Sequence, residues 1–251
     1  MTGWVKIVGL GPGSDGLITP EATTALAAAT DIVGYISYVE RVPERSGVTL
    51  HLSENRVELE RAQTALSMAM DGKNVVVVSS GDPGVFAMAA AVFEALEHGP
   101  RQWHRLDIEV LPGITAMLAA AARLGAPLGH DFCAINLSDN LKPWSVIEKR
   151  LRLAAEAGFA MAFYNPRSKA RPEGFETALD ILCEAVGPSV PIIFAHAVST
   201  NNEKLVITTL KEARADMADM RTMVIVGTSQ TRIIERQEAS PFVYTPRAFV
   251  P

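Results

Sequence analysis

The chain has 251 residues, 48% hydrophobic and 20% charged, with a formal net charge of −5 and a pI near 5.6. That length holds one large globular domain or two compact ones, and the acidic balance argues against broad nucleic-acid binding, which needs a basic footprint. No apolar run reaches transmembrane length and the first residues lack a charged segment leading into an apolar one, so a cytoplasmic protein with no membrane partner is expected. Cys133 and Cys183 lie in apolar stretches and read as buried thiols. The five histidines never fall into metal-ligand spacing, so no metal is expected.

In chain order, Trp4 to Leu10 reads as a strand, followed by a loop carrying Gly11, Gly13 and Gly16. Thr19-Pro20-Glu21 starts a helix, with Thr19 as N-cap and Pro20 at the first helical position. Asp31 to Tyr35 and Val48 to Leu52 read as short strands, and Arg56 to Met70 as a helix. The unbroken run Asn74 to Val78 is a strand covered on both faces. After it, Ser79-Ser80-Gly81-Asp82-Pro83-Gly84-Val85-Phe86 leads into an Ala-rich helix, Val85 to Leu96. Asp82 has two readings here: a carboxylate for ligand hydroxyls in a strand-end crevice, or an N-cap with Pro83 opening the helix. Asp107 to Leu111 is a further strand, and Pro112 to Ala116 opens a second Ala-rich helix ending near Gly125.

Gly125 to Gly129 is the expected hinge, giving an N-terminal α/β domain over 1–125 and a C-terminal α/β domain over 126–251. Beyond it come strand Phe132 to Leu137, helix Trp144 to Ala157, strand Phe159 to Tyr164 and helix Glu173 to Val186. Pro191 to Ala197, Leu205 to Thr209, Thr222 to Gly227 and Phe242 to Thr245 are strands with little helix between them. A mostly parallel sheet is therefore expected in the first domain and a mixed sheet in the second.

The run Gly9-Leu10-Gly11-Pro12-Gly13 invites a dinucleotide-binding reading. In that fold the glycine turn runs directly into a helix whose N-terminus meets the pyrophosphate. Here several residues intervene before Pro20, and only Glu40 stands near the place of the expected ribose-binding acid. A dinucleotide-dependent oxidoreductase and a non-enzymatic ligand-sensing module are therefore kept as alternatives.

Four segments in this order resemble the tetrapyrrole methylases, S-adenosylmethionine-dependent enzymes that methylate precorrins and uroporphyrinogen: Val8 to Gly13, Ser80 to Phe86, Pro112 to Ala116, and Phe163-Tyr164-Asn165-Pro166-Arg167-Ser168. The resemblance runs from Val8 to Phe249. Asp31 to Tyr35 with Tyr38, Gly129-His130-Asp131-Phe132, Asn136 to Asp139 and Val243 to Arg247 resemble the ring-contracting members of cobalamin synthesis. Two departures stand out: Gly227-Thr228-Ser229 where Gly-Asn-Ser is expected, and Ser199-Thr200-Asn201 where Gly-Arg is expected.

The resemblance implies a cleft between two α/β domains that holds S-adenosylmethionine. The implied contacts are Pro12, Ser80, Gly81, Asp82, Val85, Phe86, Thr115, Ala116, Asn165 and Ala197. Thr115 and Ala116 start a helix whose free N–H groups suit a carboxylate. The implied substrate is a ring-shaped polycarboxylate, for which Arg167, Lys169 and Arg171 form a basic cluster after a strand end. Ring contraction calls for a base, with Asp139, His130 and Tyr38 as candidates. A homodimer is expected, from the family and from the apolar helices at Ala87 to Leu96 and Ala116 to Leu124.

Overall fold

The computed structural model describes residues 2–55 and 57–248. Arg56, expected to open a helix, and Phe249, where the resemblance ends, lie outside the described residues. Contacts divide the chain into two units, 1–115 and 116–251.

The first unit alternates strand and helix: β1 (Trp4–Gly9), α1 (Pro20–Ala28), β2 (Asp31–Tyr35), α2 (Ile36–Val39), β3 (Thr49–Ser53), α3 (Glu58–Met70), β4 (Asn74–Ser79), α4 (Met88–His98) and β5 (Asp107–Leu111). The five strands form one sheet in the order β3-β2-β4-β1-β5, every pair parallel. Alternation along the strands serves two cores. Val5, Ile7, Val33, Val75 and Val77 pack with α3 and α4, whereas Val8, Ile32, Val76 and Val78 pack with Ala22 and Ala25 of α1. Thr19 caps α1 as expected, its Oγ1 accepting from the Ala22 N–H at 3.2 Å.

This topology sets a crevice. β1 and β4 are neighbours, yet the chain leaves β1 for α1 on one face and leaves β4 for α4 on the other. Adjacent strands whose connections depart to opposite faces make the switch point where α/β sheets take ligands, beyond the carboxyl ends of the strands.

The second unit begins with α5 (Ala116–Leu124) and β6 (Gly125–Ala126). It continues with β7 (Phe132–Asn136), α6 (Trp144–Glu156), β8 (Ala160–Tyr164), α7 (Gly174–Val186), β9 (Pro191–His196), β10 (Lys204–Thr209) and β11 (Thr222–Val226). β12 (Arg232–Ile234) and β13 (Phe242–Tyr244) end it. The main sheet has the order β10-β9-β11-β8-β7. β7 and β8 are parallel, and β11 and β10 run antiparallel to their partners. The mixed sheet expected from the helix-poor stretch is present, since short connections reverse the chain rather than cross it over. Phe163, Phe175, Phe194 and Leu182 centre the core beneath α6 and α7.

Two local expectations differ. α5, assigned from sequence to the first domain, packs on β11, β6 and β13 and belongs to the second unit. Gly125 to Gly129, read as a hinge, contains a strand: β6 pairs with β13, the Thr245 N–H donates to the Ala126 carbonyl at 2.9 Å, and Thr245 Oγ1 donates to the Pro127 carbonyl at 2.6 Å. A segment held by these bonds from Gly125 to Pro127 is anchored rather than left as a linker.

Candidate functional site

At the carboxyl ends of β1, β4 and β5 three loops meet backbone to backbone. Gly11 and Gly81 both have φ of +66° and exchange backbone hydrogen bonds, Gly81 N–H to Gly11 O at 2.9 Å and Gly11 N–H to Gly81 O at 3.2 Å. A Cβ on Gly9 would lie 2.5 Å from the Gly81 oxygen, and one on Gly113 would meet the same oxygen closer than 3.0 Å. The three backbones approach this closely because glycine allows it.

Asp82 locks the arrangement. Its Oδ1 accepts from the Gly84 N–H at 2.8 Å and its Oδ2 from the Gly113 N–H at 3.0 Å. One carboxylate therefore folds its own turn and ties β4 to the loop after β5. The helix-cap reading of Asp82 and Pro83 does not hold: α4 starts at Met88, whose N–H donates to Ser79 Oγ at 3.3 Å. Pro12, Ser80 and Val85 are half-buried around the crevice, and Phe86 is 49% exposed.

Arg41, just after α2, explains what holds the glycine loop. Its guanidinium donates to the carbonyls of Leu10 at 2.6 Å, Gly11 at 3.2 Å and Gly13 at 3.2 Å. A phosphate cradle aims N–H groups at an anion, and this loop converges carbonyls on a cation. The dinucleotide reading fails on that electrostatic ground. It fails on topology as well, since a 3-10 turn (Asp15–Leu17) separates the loop from α1.

In the second unit, Asn165 follows β8 with φ of +51°, and Ala197 follows β9 with φ of +46°. With Phe86 at +53°, three of the five non-glycine residues at positive φ among the described residues are residues singled out for the cofactor. Backbone held in this costly region gathers at ligand sites. Asn165 Nδ2 donates to Asn136 Oδ1 at 3.2 Å, and that oxygen also accepts from the Ser138 N–H at 2.9 Å. Thr115 is buried and Ala116 begins α5. The N–H groups there are not all free as expected, because Met117 N–H already donates to the Tyr164 hydroxyl at 3.4 Å.

The basic cluster splits. Lys169 is exposed and Arg167 half-exposed, with Nε donating to the Pro172 carbonyl at 3.3 Å. Arg171 turns inward, donating to the Leu137 carbonyl at 3.2 Å and standing 3.7 Å from Asp139. It lines a cavity of about 320 Å³ with Trp144, Pro166 and Thr177. Among the base candidates, Asp139 sits beside Arg171. His130 Nδ1 accepts from the Asp131 N–H at 2.7 Å. Tyr38 stacks edge-on against Tyr35 at 5.2 Å, and burial, with Tyr35 adding to it, pushes its hydroxyl pKa up despite Arg41 and Arg61. Tyr38 therefore stays protonated at neutral pH, which suits a hydrogen-bond donor better than a base.

Sequence reasoning missed Arg41, the Tyr164–Met117 bond and the positive φ of Phe86 and Ala197. Asn165 alone carried a signal, since asparagine tolerates the left-handed region.

A doubly covered parallel sheet with a glycine-lined switch point, joined in one chain to a mixed sheet, defines the class: residues 5–214 match the tetrapyrrole (corrin/porphyrin) methylases, and the chain belongs to that family. It is 53% identical over 249 residues to a precorrin-3B C(17)-methyltransferase of Sinorhizobium, covering 99% of this chain and 98% of that one. It is 40% identical over 244 residues to a probable cobalt-factor III C(17)-methyltransferase of Salmonella typhimurium, covering 96% and 99%. The crystal structure of the methyltransferase CobJ matches with a TM-score of 0.93 at 60% identity, covering 98% of this chain and all of that one.

Proposed function

We propose that this protein is an S-adenosylmethionine-dependent methyltransferase acting on C17 of precorrin-3B, with contraction of the macrocycle to precorrin-4, in cobalamin biosynthesis. The end-to-end 53% identity to a precorrin-3B C(17)-methyltransferase carries the reading. The place of the crevice beyond the strand ends, where Gly9 and Gly113 are pressed against the Gly81 backbone with no room for a Cβ, supports the assignment of the cofactor there. Pro12, Ser80, Gly81, Asp82, Val85 and Phe86 of the first unit are assigned to S-adenosylmethionine, together with Thr115, Ala116, Asn165 and Ala197. The bound cofactor supplies an electrophilic methyl group on a sulfonium.

The chain's own part is positional. Methyl transfer to carbon needs the donor and the nucleophilic carbon held in line, and needs no protein nucleophile. Asp82 keeps the β4 turn closed against Gly113. Arg167 and Lys169, whose head groups reach water, are assigned to the substrate's carboxylates, and Arg171 supports the loop at Leu137 and Asp139. Asp139, 3.7 Å from Arg171, is assigned as the base.

The 40% identity to a probable cobalt-factor III enzyme keeps a second reading, a cobalt-bearing substrate. We further propose a cytoplasmic location and a homodimer, the homodimer supported by Phe93 on α4 and Leu118 on α5, which remain 46% and 50% exposed. Calorimetry with S-adenosylhomocysteine and with NAD tests the cofactor, and parallel turnover of metal-free and cobalt-bearing substrates tests the second reading. Binding of NAD in place of S-adenosylhomocysteine would overturn the proposal.

A further inference from the structure

The segment from Gly9 to Gly13 pays more entropy to be ordered than most sequences, because glycine is the freest residue in the unfolded chain. No helix follows directly to hold it, since α1 starts only at Pro20. The loop pairs with Gly81 through Gly11, and carbonyls along it are gathered by one side chain. Arg41 reaches three of its carbonyls, with Nη2 bridging Leu10 and Gly13 and Nη1 on Gly11. The base of Arg41 is itself anchored, its N–H donating to the Tyr38 carbonyl at 3.2 Å between the buried Val39 and Val42. A planar fork spans three carbonyls at once, which a lysine ammonium, a compact point charge, does not reproduce.

We propose that Arg41 is the positioning residue of the cofactor loop: it sets Pro12, and the Gly11–Gly81 pairing next to it, in the geometry that receives S-adenosylmethionine. The proposal rests on the assignment of Pro12 and Gly81 to that cofactor. Arg41 touches neither substrate nor cofactor in this role, and acts through the backbone it holds. A loop ordered before the ligand arrives spares the ligand that ordering cost, so the effect belongs in cofactor affinity.

Arg45 gives an internal control. Its guanidinium bonds the carbonyls of Leu26, at 2.9 Å, and Ala29 at the end of α1, a similar contact on backbone that the cofactor reading does not use. Three variants of the full chain test the idea: Arg41→Ala, Arg41→Lys and Arg45→Ala. S-adenosylhomocysteine affinity is measured by calorimetry, KM for each substrate by turnover, and folding by thermal unfolding. Arg41→Ala is expected to weaken S-adenosylhomocysteine about tenfold, the scale of one charge-assisted hydrogen bond. The KM for S-adenosylmethionine should rise with it while the KM for the tetrapyrrole stays unchanged. Millimolar guanidinium ion should restore part of the affinity to Arg41→Ala, and Arg41→Lys should recover little.

Arg45→Ala should lower the unfolding temperature and leave cofactor affinity intact. Wild-type affinity in folded Arg41→Ala, or equal affinity losses in the Arg41 and Arg45 variants, would overturn the proposal. If Arg41→Ala does not fold, Arg41→Lys decides: wild-type affinity there overturns the proposal, and weakened affinity supports it. Failure of the wild-type protein itself to bind S-adenosylhomocysteine would instead overturn the cofactor reading beneath it.

Discussion

Gly113→Ala probes the crevice at its tightest point. The added Cβ would meet the Gly81 oxygen inside 3.0 Å and would stand 2.9 Å from the backbone of Gly9. Both obstacles are main chain, so no rotamer change relieves the clash, and the ends of β1, β4 and β5 must part. Overpacking of this kind costs about 1–3 kcal/mol. Parting the strands also stretches the 3.0 Å bond from the Gly113 N–H to Asp82, a charge-assisted bond contributing about 1.5–3 kcal/mol. The two add to roughly 2.5–6 kcal/mol, a fall in Tm of about 5–24 °C for a chain this long. Thermal unfolding by circular dichroism reads the stability, and calorimetry with S-adenosylhomocysteine reads the site, where affinity should drop at least tenfold. Gly16→Ala is the control from the same glycine-rich region, since a Cβ there meets nothing nearer than Ser14 Oγ at 3.7 Å. A Gly113→Ala protein with wild-type Tm and wild-type affinity would refute the reasoning.

Asp31 starts β2 almost fully buried, bonded to His51 at 2.9 Å and Thr30 at 2.8 Å, with Lys73 at 3.8 Å. Burial alone would raise its pKa, but the bonds from His51 and Thr30 and the charge of Lys73 together outweigh it and leave the pKa lowered. A lowered folded-state pKa gives stability that is present above the unfolded value, about 3.9, and is lost as pH falls through the folded one. Asp31→Asn should therefore cost about 1–3 kcal/mol at pH 7 in urea unfolding, with the gap from wild type closing below about pH 4; a gap that persists into acid would contradict this. Replacing Arg167 and Lys169 together with Ala should weaken tetrapyrrole binding about tenfold at low salt and less at high salt, with S-adenosylhomocysteine affinity unchanged; binding indifferent to mutation and salt would mean the carboxylates are met elsewhere. Light scattering should give twice the 27.0 kDa chain mass for the wild type, and Phe93→Glu or Leu118→Glu should shift it towards the monomer; a monomeric wild type would end the dimer reading.

Much of the fold was legible because burial leaves a period in the sequence. The Asn74 to Val78 run and the Thr19-Pro20 start match β4 and α1 to within a residue. β6 and β12, two and three residues long, are too short to carry a period and are defined by the strands that pair with them. The start of α4 was misplaced because Asp82 and Pro83 carry a helix-start pattern locally. The Asp82 carboxylate is instead spent on Gly84 and on Gly113, a partner 31 positions away. Long-range capture of this kind also hid Arg41 and turned Arg171 from a surface cation into a brace for Leu137. The strand-end glycines were visible as a motif. Their reason, three backbones in contact, needed the sheet order.

Product analysis tests the central claim most directly. Purified protein, precorrin-3B and S-adenosylmethionine carrying a ¹³C methyl group are incubated together, and the product is examined by mass spectrometry and NMR. The account predicts one labelled methyl group on C17 of a contracted macrocycle, formed in step with S-adenosylhomocysteine. Label on any other carbon, or no labelled tetrapyrrole from a protein that binds S-adenosylhomocysteine, would contradict it.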